Sequence, residues 1–92
     1  MHGSESIAKG FAALLLKART DAGLTQEELA HLSGLDRSTV SQAELAKASP
    51  QLETVIRLAG GLNVDPCKLT PGVRWEPPAA STNPQGVFRE PS

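Results

Sequence analysis

Ninety-two residues leave room for one small core, and with 39% apolar but only 3% aromatic residues that core must be aliphatic. The formal charge of −1 and a pI near 6.1 withhold the basic excess usual in nucleic-acid binders. One cysteine, Cys67, excludes an internal disulfide, and the longest apolar run, Phe11 to Leu16, is too short for a membrane span or a signal-peptide core, so a soluble cytoplasmic protein is expected.

The chain divides by composition into a helical domain over 5–72 and a proline-rich segment over 73–92. In chain order, the first predicted helix runs from about Glu5 to Ala22, with Ser4 as its N-cap and Gly23 as its left-handed stop. Ile7, Phe11, Leu15 and Ala18 form its apolar face. The second begins at a capping box, Thr25-Gln26-Glu27-Glu28, in which threonine and glutamate each bond the other's backbone N–H. It turns Leu29, Ala30 and Leu32 inward and stops at Gly34. The third starts at Asp36, an acidic N-cap suited to the helix dipole, and continues to about Leu45. A fourth follows the Ser49-Pro50 break and spans Leu52 to Leu62, with Leu52, Val55, Leu58, Ala59 and Leu62 on one side. Gly60 and Gly61 should weaken its last turn by roughly 1 kcal/mol each. A short fifth helix is capped by Asp65, opens on Pro66 and ends near Thr70. From Pro71 onward five of the seven prolines fall in a stretch with no apolar period, which predicts a disordered tail. Trp75 in that stretch either folds back on the domain or faces solvent. The fold class is therefore all-α, a compact five-helix bundle with a flexible tail.

The informative stretch is Gln26 to Glu44, QEELAHLSGLDRSTVSQAE. Two short helices meet at a glycine turn, with the small Ala30 where they cross. Leu35 and Val40 anchor the second helix to the core. Arg37, Ser38, Thr39, Ser41 and Gln42 are then left on or beside its outer face. Each is a hydrogen-bonding side chain short enough, or forked enough, to meet base edges and phosphates.

Over Phe11 to Leu69 the chain resembles the Cro and phage-repressor (Xre-type) helix-turn-helix family. The resemblance rests on Arg19, GLTQEELA from Gly23, SGLDRSTVS from Ser33, Glu44, and SPQLETVIRLAGGLNV from Ser49. The segment LSGLDRS is most similar to small restriction-modification controller proteins and prophage regulators. The resemblance implies a third helix that enters the major groove, with Arg37, Ser38 and Gln42 at base-reading positions and Gln26 on a phosphate. It also implies a buried structural ion pair between Arg19 and Glu44. The family's glycine after the third helix is replaced here by Ala46, its bulky aliphatic by Ala43, and a common basic residue by Leu16.

The function expected is a sequence-specific DNA-binding transcriptional regulator of the repressor kind. Its partner is double-stranded DNA, and it reads an inverted repeat as a homodimer. Lys47 joins Gln26 as a phosphate contact, and Ile56, Leu62 and Val64 are the candidates for the dimer surface. Leu16 and Ile56 fit their helix faces least well, as tolerated surface residues or as part of an interface. No cofactor is expected, and no metal, since His2, His31 and Cys67 lack partners at ligand spacing. No arrangement of nucleophile, base and phosphate loop suggests an enzyme. The alternative reading is a helix-turn-helix scaffold used as a protein-interaction module, antitoxin-like or sigma-factor-binding, favoured by the near-neutral charge and the apolar outliers.

Overall fold

The computed structural model describes residues 2–80 and 84–90. Four α-helices, α1 (His2–Asp21), α2 (Gln26–Ser33), α3 (Arg37–Glu44) and α4 (Leu52–Leu62), precede a 3₁₀ turn (Pro66–Leu69) and an antiparallel pair of strands, β1 (Arg74–Glu76) and β2 (Val87–Arg89). Among the described residues no helix is long and apolar enough to cross a membrane.

Helix α1 buries Ala8, Phe11, Ala12 and Leu15, an i, i+3, i+4, i+7 stripe, with Leu14 and Ala18 packed beside it. Its backbone is already helical at His2, so Ser4 lies within the helix rather than at its cap. It ends at Gly23, whose φ of 72° is the left-handed stop. The capping box then opens α2: Glu28 N–H donates to Thr25 Oγ1 at 3.0 Å, and Thr25 N–H donates to Glu28 Oε1 at 2.8 Å. Leu29 and Ala30 face the core, but Leu32, expected inward, is 56% exposed and Ser33 is buried in its place. The cause lies on α4. A β-carbon on Gly61 would fall inside contact distance of Ser33 Oγ and 3.2 Å from Leu29 Cδ1, so α4 crosses α2 on the Leu29–Ser33 side.

Gly34, with φ of 66°, turns the chain into α3, and Leu35 N–H bonds back to the Ala30 carbonyl at 2.9 Å. Asp36 holds the N-cap position, yet its side chain makes no capping hydrogen bond. Val40 is fully buried and fixes the rotation of the helix. Leu58, Ala59 and Leu62 carry the inner face of α4, and Val55 packs beside them. Leu52, expected on that face, is the first residue of α4 and is 75% exposed.

The expected fifth helix is a single 3₁₀ turn. Lys68 N–H reaches the Asp65 carbonyl at 2.8 Å and Thr70 N–H that of Cys67 at 3.3 Å, both over three residues. Pro71 disfavours helical backbone at the preceding Thr70, so no second turn forms. Asp65 does cap the turn, accepting from Cys67 N–H at 3.0 Å. Leu69 closes the core.

The fold is thus mostly helical rather than all-α with five helices. The segment expected to lack regular structure contains the β1–β2 pair, in the register Arg74↔Arg89, Trp75↔Phe88 and Glu76↔Val87. Cross-strand aromatic packing accounts for it: the Trp75 and Phe88 rings meet edge to face, centroids 5.1 Å apart at 66°. Trp75 also lies over Gly86, where any side chain would collide with the indole. Strand β2 packs on α1, and Pro71 sits so near Gly10 that an added β-carbon would lie 2.6 Å away. Of the proline-rich segment, residues 81–83, 91 and 92 lie outside the described residues, as does the side chain of His2.

Candidate nucleic-acid interface

With Val40 inward, α3 exposes Arg37, Ser38 and Gln42, while Thr39 and Ser41 are half-buried at its edges. Thr39, Gln42 and Lys47 line a shallow groove of about 140 Å³ that continues to Pro50 and Thr54. Lys47 is exposed just past the helix, so Arg37 and Lys47 mark the two ends of the outer face with positive charge. Asp36 and Glu27, both exposed, oppose them near the start of α3 and of α2.

Behind this face a buried polar cluster ties three elements together. Arg19 Nε donates to Glu44 Oε2 at 2.5 Å and Arg19 Nη2 to Glu44 Oε1 at 3.0 Å, a two-pronged pair with side chains 16% and 6% exposed. Arg19 Nη1 also donates to the Leu24 carbonyl at 2.8 Å, which fastens the turn between α1 and α2. Gln26 Nε2 donates to Glu44 Oε1 at 2.9 Å. Burial alone would push the Glu44 carboxyl up, but the hydrogen bonds from Arg19 and Gln26 and the charge of Arg19 hold it below its ordinary value. The hydrogen bonds it donates to Glu44 hold the Arg19 guanidinium above its usual value, against the opposing effect of burial.

The Gln26 amide gives one of its two N–H donors to Glu44, and the half-buried side chain borders the open cleft it shares with Glu27, Leu32 and Arg37. No local sequence signal reveals that bond, because its partners lie 18 residues apart. Of the three dimer candidates, Ile56 is 51% exposed on α4, Val64 is half-buried against the core, and Leu62 is buried within it. Leu62 is therefore no surface residue: as the last inward position of α4 it seals the core above Leu69. Exposed Leu45, at the end of α3, escaped the sequence reading. Among the described residues no group of His, Cys, Asp or Glu is arranged to hold a metal ion.

Two short helices joined by a left-handed glycine, the second anchored by one buried valine and polar outside, define a helix-turn-helix unit. The helix-turn-helix family profile matches residues 15–69 of the chain. The restriction-modification controller protein C.AhdI from Aeromonas hydrophila is 40% identical, over 67% of this chain and 94% of its own, with a TM-score of 0.65. The wild-type controller protein C.Esp1396I is 27% identical over 67% of this chain and 82% of its own, with a TM-score of 0.63. The clp gene regulator ClgR from C. glutamicum shares the fold, at 22% identity over 67% and 80% of the two chains and a TM-score of 0.64. No curated protein sequence matches the chain. The chain belongs to the helix-turn-helix family of the Cro and phage-repressor type, and is a non-enzymatic, DNA-binding transcription regulator.

Proposed function

We propose that the protein represses or tunes transcription in the cytoplasm as a homodimer on an inverted repeat, in the manner of a restriction-modification controller. The observation that carries this reading is the outer face of α3, where Arg37, Ser38 and Gln42 stand exposed together on a helix locked from behind by Val40 and the Arg19–Glu44 pair. The 40% identity to a controller protein supports the regulatory class. In the major groove Arg37 suits guanine and Gln42 adenine, each worth about 1–3 kcal/mol of discrimination. Thr39 and Ser41, at the edges of the face, serve the flanking contacts. Lys47 meets phosphate, and Gln26, which gives one amide N–H to Glu44, has a second N–H with which to do the same.

One eight-residue helix offers few readers, and a net charge of −1 gives little attraction to DNA at large, so a single copy binds weakly. Two copies related by a two-fold axis place their α3 helices one turn of DNA apart, roughly 10 base pairs. Ile56 and its neighbour Leu52 on the exposed side of α4 are the apolar side chains proposed to join them. Selection from a random DNA library tests the scheme: wild type should enrich an inverted repeat, and Gln42→Ala should relax the preference at one position of each half-site. Absence of any enriched sequence, from protein shown to be folded and dimeric, would overturn it and favour a protein-interaction module.

A further inference from the structure

The β1–β2 hairpin lies beyond the residues that match the helix-turn-helix family, so the DNA-binding reading leaves it without a role. Its two edges differ. Strand β2 is half-buried against α1, whereas all three residues of β1 are exposed. An open edge with unpaired backbone groups is a template for another strand.

Charge and register indicate which strand fits. Residues directly opposite in an antiparallel pair share a face, so Arg74, Glu76, Val87 and Arg89 line one face, and Trp75 and Phe88 the other. Arg74 stands directly opposite Arg89, an unfavourable like-charge pair. Glu76 bonds Arg89 through both carboxylate oxygens, at 3.2 and 3.3 Å, while Arg74 has no side-chain partner among the described residues. What the edge lacks is a carboxylate opposite Arg74.

We propose that β1 pairs antiparallel with β1 of a second copy, about a two-fold axis through Trp75. In that register each Arg74 faces the Glu76 of the other copy, and a carboxylate has lone pairs enough to accept it while keeping Arg89. The four strands run β2-β1-β1-β2, with one face a continuous aromatic row of Phe88, Trp75, Trp75 and Phe88. Trp75, 53% exposed in the single chain, becomes covered. Pro77-Pro78 after the strand cannot donate to a ladder, so a register shifted by two residues towards them sets a proline opposite Arg74, and the opposite shift sets Arg74 against Arg74 of the other copy; both are disfavoured. The contact involves neither α3 nor Ile56, and it is independent of the DNA-binding reading.

Trp75 is the only tryptophan in the chain, which makes its emission a direct probe of this contact. Full-length wild type, raised from about 10 μM to about 1 mM, should show a blue shift and falling acrylamide quenching together with a mass increase by sedimentation, including in an Ile56→Glu background. Arg74→Glu discriminates sharply. Within one chain it replaces the Arg74–Arg89 opposition by an attractive pair and keeps the hairpin, but between chains it sets glutamate against Glu76. It should therefore weaken association at least roughly tenfold without loss of hairpin signals in the NMR spectrum. Mixing Arg74→Glu with Glu76→Arg should restore association. Concentration-independent Trp75 emission, an Arg74→Glu variant that associates like wild type, or a mixture that stays monomeric through β1 each overturns the proposal.

Discussion

Gly61 of α4 lies against Ser33 of α2 with no space for a β-carbon between them, while its neighbour Gly60 has nothing within 4 Å of where one would go. Two adjacent glycines of one helix therefore have opposite reasons for being there. Gly60→Ala should stabilise the protein by about 1 kcal/mol, the ordinary helix-propensity gain. Gly61→Ala should destabilise it by about 1–3 kcal/mol through overpacking. The Ser33 hydroxyl is buried without a hydrogen-bond partner among the described residues, so Ser33→Ala should stabilise by about 1 kcal/mol. Urea melts of the three variants check the pattern, and two glycines that respond alike would contradict the close crossing.

Removing either partner of the Arg19–Glu44 pair should cost about 3–5 kcal/mol, because the other charge stays buried alone. A pH dependence follows. The folded Glu44 carboxyl titrates below its ordinary value, so the stability it contributes is complete above the unfolded pKa of about 4.3 and is lost as pH falls through the lower folded value. Glu44→Gln should thus be markedly less stable than wild type at pH 7, with the gap narrowing below about pH 4. Thermal melts across that range, with a gap that does not change, would contradict the linkage.

Ala46 adopts φ of 56°, a left-handed conformation that L side chains disfavour. Its N–H bonds the Ala43 carbonyl and the Lys47 N–H that of Gln42, both at 3.3 Å, which commits the chain to this turn. Ala46→Gly should stabilise by up to about 1 kcal/mol. A loss of stability in chemical denaturation would show that the alanine methyl makes contacts worth more than the backbone strain.

If Lys47 touches phosphate, Lys47→Ala should weaken binding to specific and unrelated DNA alike and reduce the salt slope by about one unit. Titrations at several salt concentrations measure this. A change confined to one base position would make Lys47 a reader instead.

The helices were legible where chemistry is local. The Ser49-Pro50 break precedes α4, which spans Leu52–Leu62 as expected, and the Thr25–Glu28 box and Gly34 bound α2. Legibility stopped where a choice depended on a distant neighbour. In eight residues of α2 the helical period admits either Leu32 or Ser33 at the core edge, and only the approach of Gly61 decides it. Three-residue strands carry too little alternation to be seen, and β1 and β2 are separated by ten residues rich in proline. Of the candidate interface, the outer face of α3 follows from Val40 alone, whereas the Gln26–Glu44 bond joins residues no local pattern connects.

Helix α1 touches both ends of the molecule: Arg19 grips α3, and nine residues earlier Gly10 receives Pro71 at the base of the hairpin. At 1.5 Å per residue those two anchor points stand about 13 Å apart along one straight rod. A fluorophore carried on β1 therefore rides at a fixed offset from the reading helix, on a rigid lever rather than a floppy tether. Energy transfer from labelled DNA to that position would report the orientation of a bound protomer, and the order of two protomers on one site, without touching the side chains that choose the sequence.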